Sequence, residues 1–473
     1  MGSKIKKHLQ YYFNRVSVPF ARLKQSFVPL IYPPNDAQLA SHIKDYNKHR
    51  PYGPQKLICY VPQNSLVFFR DGRVLPCSYN QTYEFGKYPE NSVKEIIEGE
   101  RRRAFIAMHY NNDLSQGCSY CRNFIASGKY NGVKSMSFDR YSFRKKPWSP
   151  AVMEFDISSH CNLRCIMCNE RMRSVEPPDS PYNDQFIGEI TPYLLHIKEA
   201  KFFGREPFTI QQYYKIWDII TTHNPRAKIF VITNGTNLNE EIKALLNKGR
   251  FEIGVSVDSL NKEKFEKIRK GARFETVIEN LHWFNSYCKS KNTCLSVSMT
   301  IFRENWQDIP DILRFCNKYQ CSVFFSYLYK PEILSLWTLP TDEILSIYQY
   351  LKEFSFSRNN AIEVYNSKCY AEIIEHLNYW AHPPDRKKAW EGRLSEYIQV
   401  HKSIRKTEAE TLSHEISKSL EKVIIESGYK KHLPGIYQEL LNIDMGEFLL
   451  FYYNQPKEMW VEQLDLFIKK LNL

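Results

Sequence analysis

Three cysteines stand within eight residues, at Cys161-x3-Cys165-x2-Cys168. They follow directly on an apolar stretch at 152–158 that reads as a strand. Thiolates this close in one loop can hold a single inorganic centre, whereas packing cysteines need no such spacing. An iron–sulfur cubane is fully ligated by four cysteines. A three-cysteine loop therefore leaves one iron open for a substrate or cofactor. Zinc would need a fourth ligand, with His160 as the candidate, and zinc sites more often show two paired arms. His160 and Cys161 are sequence neighbours, an awkward pair for one ion.

Seven of the twelve cysteines fall in spaced groups: Cys59, Cys77, Cys118 and Cys121, then Cys161, Cys165 and Cys168. Cys288, Cys294, Cys316, Cys321 and Cys369 are single, and buried single thiols are mostly inert packing. The N-terminus has no apolar signal core, so a reducing cytoplasm is expected, where grouped cysteines bind metal or do chemistry rather than form disulfides. No apolar run reaches the roughly 18 residues of a membrane span. A hydrophobic content of 43% in 473 residues excludes a disordered chain and allows several domains. The net charge of +13 is spread along the sequence without a nucleic-acid-reading motif, so no nucleic-acid partner is expected.

Five regions are expected. Residues 1–50 form a basic arm. Within its first 35 residues, Lys4, Lys6, Lys7, Arg15, Arg22 and Lys24 alternate with Tyr11, Tyr12, Phe13, Phe20 and Phe27. Such an arm can lie on an anionic membrane surface, giving peripheral contact, or pack on its own protein. Residues 51–130 hold the first cysteine group. Strands are expected at 57–60 and 65–70, a turn at Asp71-Gly72, and a helix over 91–108. Residues 131–150 read as a linker that begins near 126. Residues 151–335 alternate strands at 152–158, 199–203, 228–233, 251–258, 294–301 and 322–327 with helices at 184–197, 209–222, 240–247, 275–289 and 308–318. That order predicts an α/β fold with a parallel sheet. Periodicity leaves an open sheet and a partial barrel both open. Residues 336–473 are expected to be helical, with runs at 407–427, 433–441 and 457–471.

Cys161-Asn162-Leu163-Arg164-Cys165-Ile166-Met167-Cys168 resembles the cluster loop of the radical S-adenosylmethionine (radical SAM) superfamily, with Met167 where an aromatic is usual. The resemblance continues in order along the chain. Gly204-Arg205-Glu206-Pro207 is similar to the family's Gly-Gly-Glu-Pro motif, with Arg205 in place of the second glycine. Thr233-Asn234-Gly235 and Val255-Ser256-Val257-Asp258 follow at later strand ends, and 265–277 is similar to the family's next helix. The resemblance implies a partial (β/α)6 barrel with its site at the C-terminal strand ends. It implies a 4Fe–4S cluster on Cys161, Cys165 and Cys168. It also implies S-adenosylmethionine contacts from Met167, Gly204, Glu206, Pro207, Thr233, Asn234, Ser256 and Asp258.

The spacing Cys59-x12-Gly72-x4-Cys77, followed by Cys118-x2-Cys121, resembles the SPASM and twitch accessory domains of the same superfamily. That implies a second 4Fe–4S cluster on Cys59, Cys77, Cys118 and Cys121, while four cysteines also suit structural zinc. In relatives this domain usually follows the barrel; here it precedes it.

The resemblance implies an oxidoreductase-type enzyme. Its cluster would cleave S-adenosylmethionine reductively to a 5′-deoxyadenosyl radical that takes hydrogen from a substrate. A peptide substrate (crosslinking, epimerisation or oxidation) is the first expectation. A sugar, cyclitol or glycan precursor is the alternative, and a non-catalytic redox sensor or scaffold is the reading from a different class. A flavodoxin or ferredoxin is the expected electron donor. No residue is singled out as a catalytic acid or base.

Overall fold

The computed structural model describes residues 37–141, 149–168, 180–382 and 386–429, with 436–437, 440–441 and 448–449. The expectations for the basic arm before residue 37 and for a helix at 457–471 lie outside the described residues. One compact unit takes the described residues up to Leu339 together with Tyr350–Ile373; a second takes Pro340–Gln349 and those from Ile374 onward.

Among the described residues, the first unit is organised by one sheet of nine strands. The first three are β1 (Ser65–Phe69), β2 (Arg73–Leu75) and β3 (Gly86–Lys87). Then come β4 (Val152–Asp156), β5 (Glu199–Phe202), β6 (Lys228–Thr233), β7 (Phe251–Ser256), β8 (Leu295–Ile301) and β9 (Ser322–Tyr327). All six strands expected between 151 and 335 form, and β4 to β9 are parallel throughout. Helices Asp184–Leu194, Gln211–His223, Glu240–Lys248, Phe274–Lys291 and Ile309–Tyr319 make the crossovers. This is the expected α/β class.

Alternation explains the two faces. In β8, Leu295, Val297, Met299 and Ile301 are buried, while Ser296, Ser298 and Thr300 between them are only half-buried. The apolar set drives packing, since each buried aliphatic side chain contributes about 1.5–3 kcal/mol. The other face is polar. Toward the start of the strands its charges are paired: Lys201 Nζ lies 2.6 Å from Glu154 Oε1 and Lys228 Nζ 3.0 Å from Glu252 Oε1. Glu199 pairs with Arg140 and accepts from Tyr141 Oη at 2.9 Å.

The structure departs from the sequence reading in the N-terminal third. β1 pairs in parallel with β4, from Ser65 opposite Val152 to Phe69 opposite Asp156. The first cysteine region is therefore continuous with the main sheet. The expected linker is folded where it is described: Lys134–Tyr141 is a 3₁₀ segment that buries Ser135, Phe138, Asp139 and Tyr141. Residues 57–60 are not a strand; the short helix Val61–Asn64 follows them. The helix expected over 91–108 is two, Val93–Glu98 and Glu100–Tyr110. Gly99 breaks it in an extended conformation and stands as N-cap of the second helix. Helix Ala37–Lys48, inside the expected arm, buries Leu39, Ile43 and Tyr46.

The boundary at 336 also moves. Asn366 accepts from Val323 N at 2.9 Å and donates to Cys321 O at 3.1 Å, tying its helix to the start of β9. The second unit is helical, as expected. Trp390, Leu394, Ile398, Ile416, Leu420 and Ile424 form its core. Among the described residues no helix is long and apolar enough to cross a membrane.

Arg50 and Asp139 join two segments far apart in sequence, and both side chains are fully buried. The pair is bidentate, at 2.5 and 2.9 Å, and Arg50 also donates to Leu57 O at 2.6 Å. Removing one partner leaves a buried charge unpaired. Arg50→Ala or Asp139→Ala is expected to destabilise the first unit by about 3–5 kcal/mol, read as a shift of the urea midpoint. A loss below about 1 kcal/mol from both would show that the pair is not a buried anchor.

Candidate cluster and cofactor sites

The Cys161–Cys168 loop leaves the end of β4 and is held as if it were a short extra strand. Arg164 N donates to Lys270 O, and Ile166 N to Ile268 O, both at 2.9 Å. Arg269, between those two acceptors, carries a buried guanidinium whose Nε lies 2.7 Å from Asp258 Oδ2. Its charge acts on both Cys165 and Cys168. The Cys165 thiol is raised by its hydrogen bond with Cys168 and by burial, and Arg269 works against that rise. Cys161 accepts from Leu163 N at 3.4 Å and from Asn234 Nδ2 at 3.9 Å.

The loop carrying Gly204, Arg205, Glu206 and Pro207 turns back against the same loop. Gly204 has φ +83°, and a Cβ there would stand 2.5 Å from Asp156 Oδ1. The neighbouring Arg205 holds φ +31°, a left-handed conformation that glycine adopts without cost. Glu206 is fully buried. Its carboxylate accepts from Asn234 N at 2.7 Å, Thr233 Oγ1 at 2.8 Å and Phe208 N at 3.2 Å, and its own N–H donates to His160 O at 3.2 Å. It thus pins the cysteine loop, its own loop and the end of β6 together. Asn234 reaches on to Asn162 Oδ1 at 2.9 Å, and Asn162 donates to Thr236 Oγ1 at 2.8 Å.

The structure therefore brings the expected cofactor residues to one end of the sheet. Gly204, Glu206, Pro207, Thr233 and Asn234 gather beside Cys161. Met167 packs with Ile268, Phe302 and Leu328, past the ends of β8 and β9. Ser256 ends β7 on the polar face, in register with Ser298. Asp258 is spent within the protein, on Arg269 and on Thr300 N at 2.8 Å. Its route to the cysteines runs through Arg269, which the sequence reading did not single out. His160 is exposed; its carbonyl accepts from Glu206 N at 3.2 Å and its N–H donates to Ser158 Oγ at 3.1 Å.

The second group also converges. Burial raises the Cys59 thiol, and so do the nearby Cys118, Cys121 and Cys77. Burial pushes Cys77 and Cys118 up to about 12. Each sulfur has donors in place. Val61 N faces Cys59 at 3.4 Å, Tyr79 N and Asn80 N face Cys77, Asn80 Nδ2 faces Cys118 at 3.5 Å, and Ser135 and Lys134 face Cys121. Gly72, the glycine of the spacing pattern, has φ +86°, and a Cβ there would stand 2.1 Å from Tyr88 O. Only glycine lets the β1–β2 turn lie under that carbonyl.

Both sets fit iron–sulfur centres: buried thiols, cysteine-only spacing and amide donors aimed at sulfur, which tune such clusters. Four thiolates around one zinc at about 2.3 Å would stand about 3.8 Å apart. Among the described residues no three His, Cys, Asp or Glu side chains gather closely enough for a single ion. The raised thiols mean that metal binding must release protons.

Residues 156–316 match the radical SAM superfamily, and residues 59–122 match SPASM, an iron–sulfur cluster-binding domain. The GTP 3′,8-cyclase of Streptomyces coelicolor is 28% identical over 133 residues, covering 27% of this chain and 39% of that protein. A probable GTP 3′,8-cyclase of Methanocaldococcus jannaschii is 30% identical over 171 residues, covering 35% and 54%. The chain thus spans less than two thirds of the length of these relatives. Among solved structures, native anSMEcpe with bound AdoMet aligns at TM-score 0.35 and 19% identity, covering 43% of this chain and 59% of that one. Streptococcus suis SuiB bound to S-adenosylmethionine aligns at TM-score 0.34 and 11% identity, covering 55% and 59%.

Burial pushes the Glu206 carboxyl up to about 7 from an ordinary 4.5. A raised acid favours folding while protonated. Its contribution is complete below about 4.5 and lost as pH rises through about 7. Without cofactors, the urea midpoint of the native chain should fall across that window relative to Glu206→Gln. Parallel midpoint-against-pH curves would mean that Glu206 is ionised throughout.

Proposed function

The chain carries a radical SAM domain at residues 156–316 preceded by a SPASM iron–sulfur domain at 59–122, and from that we propose an enzyme that generates a 5′-deoxyadenosyl radical and uses it to take hydrogen from a peptide. The outcome would be crosslinking, epimerisation or oxidation of that peptide. The observation that carries this reading is the Cys161–Cys168 loop, clamped at the C-terminal strand ends beside Glu206, Thr233 and Asn234. A 4Fe–4S cluster bound there supplies the electron that cleaves S-adenosylmethionine.

The protein's own part is placement. Cys161, Cys165 and Cys168 would hold three irons and leave the fourth to S-adenosylmethionine. Glu206 fixes the loop whose backbone faces that cofactor. Arg269 sets a cation beside two of the thiolates. Cys59, Cys77, Cys118 and Cys121 would hold a second, fully ligated cluster suited to passing electrons. A flavodoxin or ferredoxin would supply the reducing electron.

The alternative substrate, a sugar or cyclitol, is favoured by one feature. The polar faces of β7, β8 and β9 carry Ser256, Ser296, Ser298, Thr300 and Ser326 around Phe324, a residue 49% exposed. Hydroxyls beside an open aromatic face suit a polyol.

Anaerobically reconstituted protein given reductant and S-adenosylmethionine is expected to form 5′-deoxyadenosine, and Cys165→Ala to form none. Equal yields from both, with cluster loading confirmed, would favour a redox sensor. Iron content should be roughly eight per chain, falling to about four when Cys161, Cys165 and Cys168 are all replaced by alanine. Zinc at Cys59, Cys77, Cys118 and Cys121 in iron-replete protein would refute the second cluster.

A further inference from the structure

The Cys161–Cys168 loop is exposed at Asn162 and Arg164, and the charges beside it are of one sign. Arg164 N donates to Lys270 O and Ile166 N to Ile268 O, so the loop and residues 268–270 run antiparallel. That register sets Cys165 opposite Arg269 and Arg164 opposite Lys270. Directly opposite residues carry their side chains on the same face, with Cβ atoms about 4.5–5.5 Å apart. Cys165 and Arg269 are buried, whereas Arg164 and Lys270 are both exposed. Gly271 packs on the same loop: a Cβ there would stand 3.4 Å from Leu163 Cδ2 and 3.7 Å from Asn162 O.

Like charges directly opposite each other destabilise such a pairing. Among the described residues neither Arg164 nor Lys270 has an ion pair to offset that cost. The acids around them are committed elsewhere. Glu275 lies 2.6 Å from Lys262 Nζ, Asp308 2.9 Å from Lys264 Nζ and Glu304 2.8 Å from Lys267 Nζ. Glu266 accepts from Phe274 N at 3.0 Å, and Glu263 stands in the first turn of helix Lys262–Ile268, where the helix dipole favours a carboxylate. Residues 262–273 hold six cations against those two acids, and Arg273 is exposed as well. The surface beside the loop is a cationic patch, and Arg164 is one peptide bond from Cys165.

We propose that Arg164 and Lys270, with Arg273 three residues further along, are the docking surface for the electron donor: a carrier protein whose redox group is rimmed by carboxylates. Complementary charge speeds encounter and fixes orientation. Docking at this patch brings the carrier's redox group against the stretch of chain that would ligate the cluster. One electron passes from carrier to cluster; the carrier is oxidised and the cluster reduced by that electron, and no bond forms or breaks. The proposal rests on the reading of Cys161, Cys165 and Cys168 as a cluster reduced from outside the protein.

The test compares two donors on the anaerobically reconstituted full chain: reduced flavodoxin, an acidic protein, and photoreduced 5-deazariboflavin, which is small and uncharged. With flavodoxin, 5′-deoxyadenosine formation should slow several-fold between about 0.05 and 0.5 M salt, because screening shortens the reach of the patch. With deazariboflavin it should not. Arg164→Glu together with Lys270→Glu should lower the flavodoxin rate relative to the deazariboflavin rate by about tenfold or more, and Arg164→Lys with Lys270→Arg should keep that ratio near the native one. Carbodiimide, which joins lysine amines to carboxylates in contact, should couple Lys270 of the native chain to flavodoxin. Salt-independent reduction by flavodoxin, or cross-links confined to lysines outside residues 262–270, overturns the proposal. An equal fall with both donors in the charge reversal also overturns it and makes the two cations supports of the cluster. Absence of 5′-deoxyadenosine from the native chain with either donor overturns it together with the cluster reading.

Discussion

The parallel pairing of β1 with β4 is the constraint on which the two cysteine sites depend. Parallel neighbours need a crossover of a dozen residues or more. Here that crossover runs from Phe69 to Val152 and contains Cys77, Cys118 and Cys121, while Cys59 stands just before β1. The second site is therefore built inside a connection of the main sheet, not in a domain hung from it. Two side-chain ties reinforce the pairing. Arg70 grips Asp156 at 2.9 and 3.2 Å at the exits of the two strands, and Ser78, next to Cys77, donates to Glu154 at 2.6 Å. Relative placement of the two thiol sets is thus a matter of strand register rather than linker flexibility.

Charge is distributed to match. Toward the start of β4 to β7 every acidic side chain on the polar face has a cation, so that end is a filled ionic layer with little left to recruit a ligand. At the other end the partners are backbone amides, a side-chain amide and a hydroxyl, aimed at sulfur or at Glu206. A thiol-rich loop needs donors that do not titrate and do not compete for iron. Asn234, Asn80 and Ser135 meet that need.

Much of this was legible locally. The six strands from β4 to β9 combine alternating or continuous apolar runs with helices of ordinary length, and each expected strand formed within a few residues. The cysteine spacings were informative because they are short. What sequence could not carry is contact at long range. Nothing near Ser65 or Val152 announces that they pair across more than eighty residues. The run Leu57-Ile58-Cys59-Tyr60 is apolar like a strand, but its backbone turns to bring Cys59 to the other thiols. The supposed linker was read from glycine and basic residues, whereas Tyr130, Val133, Phe138 and Tyr141 gave it an apolar face that is buried. Arg269 is a single residue without a pattern, visible only once the clamp is in place.

Asp258 reaches the cysteine loop at one remove, through Arg269. A buried carboxylate facing a cluster would add negative charge where three thiolates already stand. By pairing with Arg269 it instead keeps a buried guanidinium charged where its field acts on Cys165 and Cys168. Thr300 N, donating to the second oxygen, holds the carboxylate in that orientation. The same segment anchors the cysteine loop through the carbonyls of Ile268 and Lys270, on either side of Arg269. Backbone geometry and charge are thus delivered to the loop by one stretch of chain. A change at Asp258 should therefore be felt first in cluster assembly and potential, and only through them in the handling of S-adenosylmethionine.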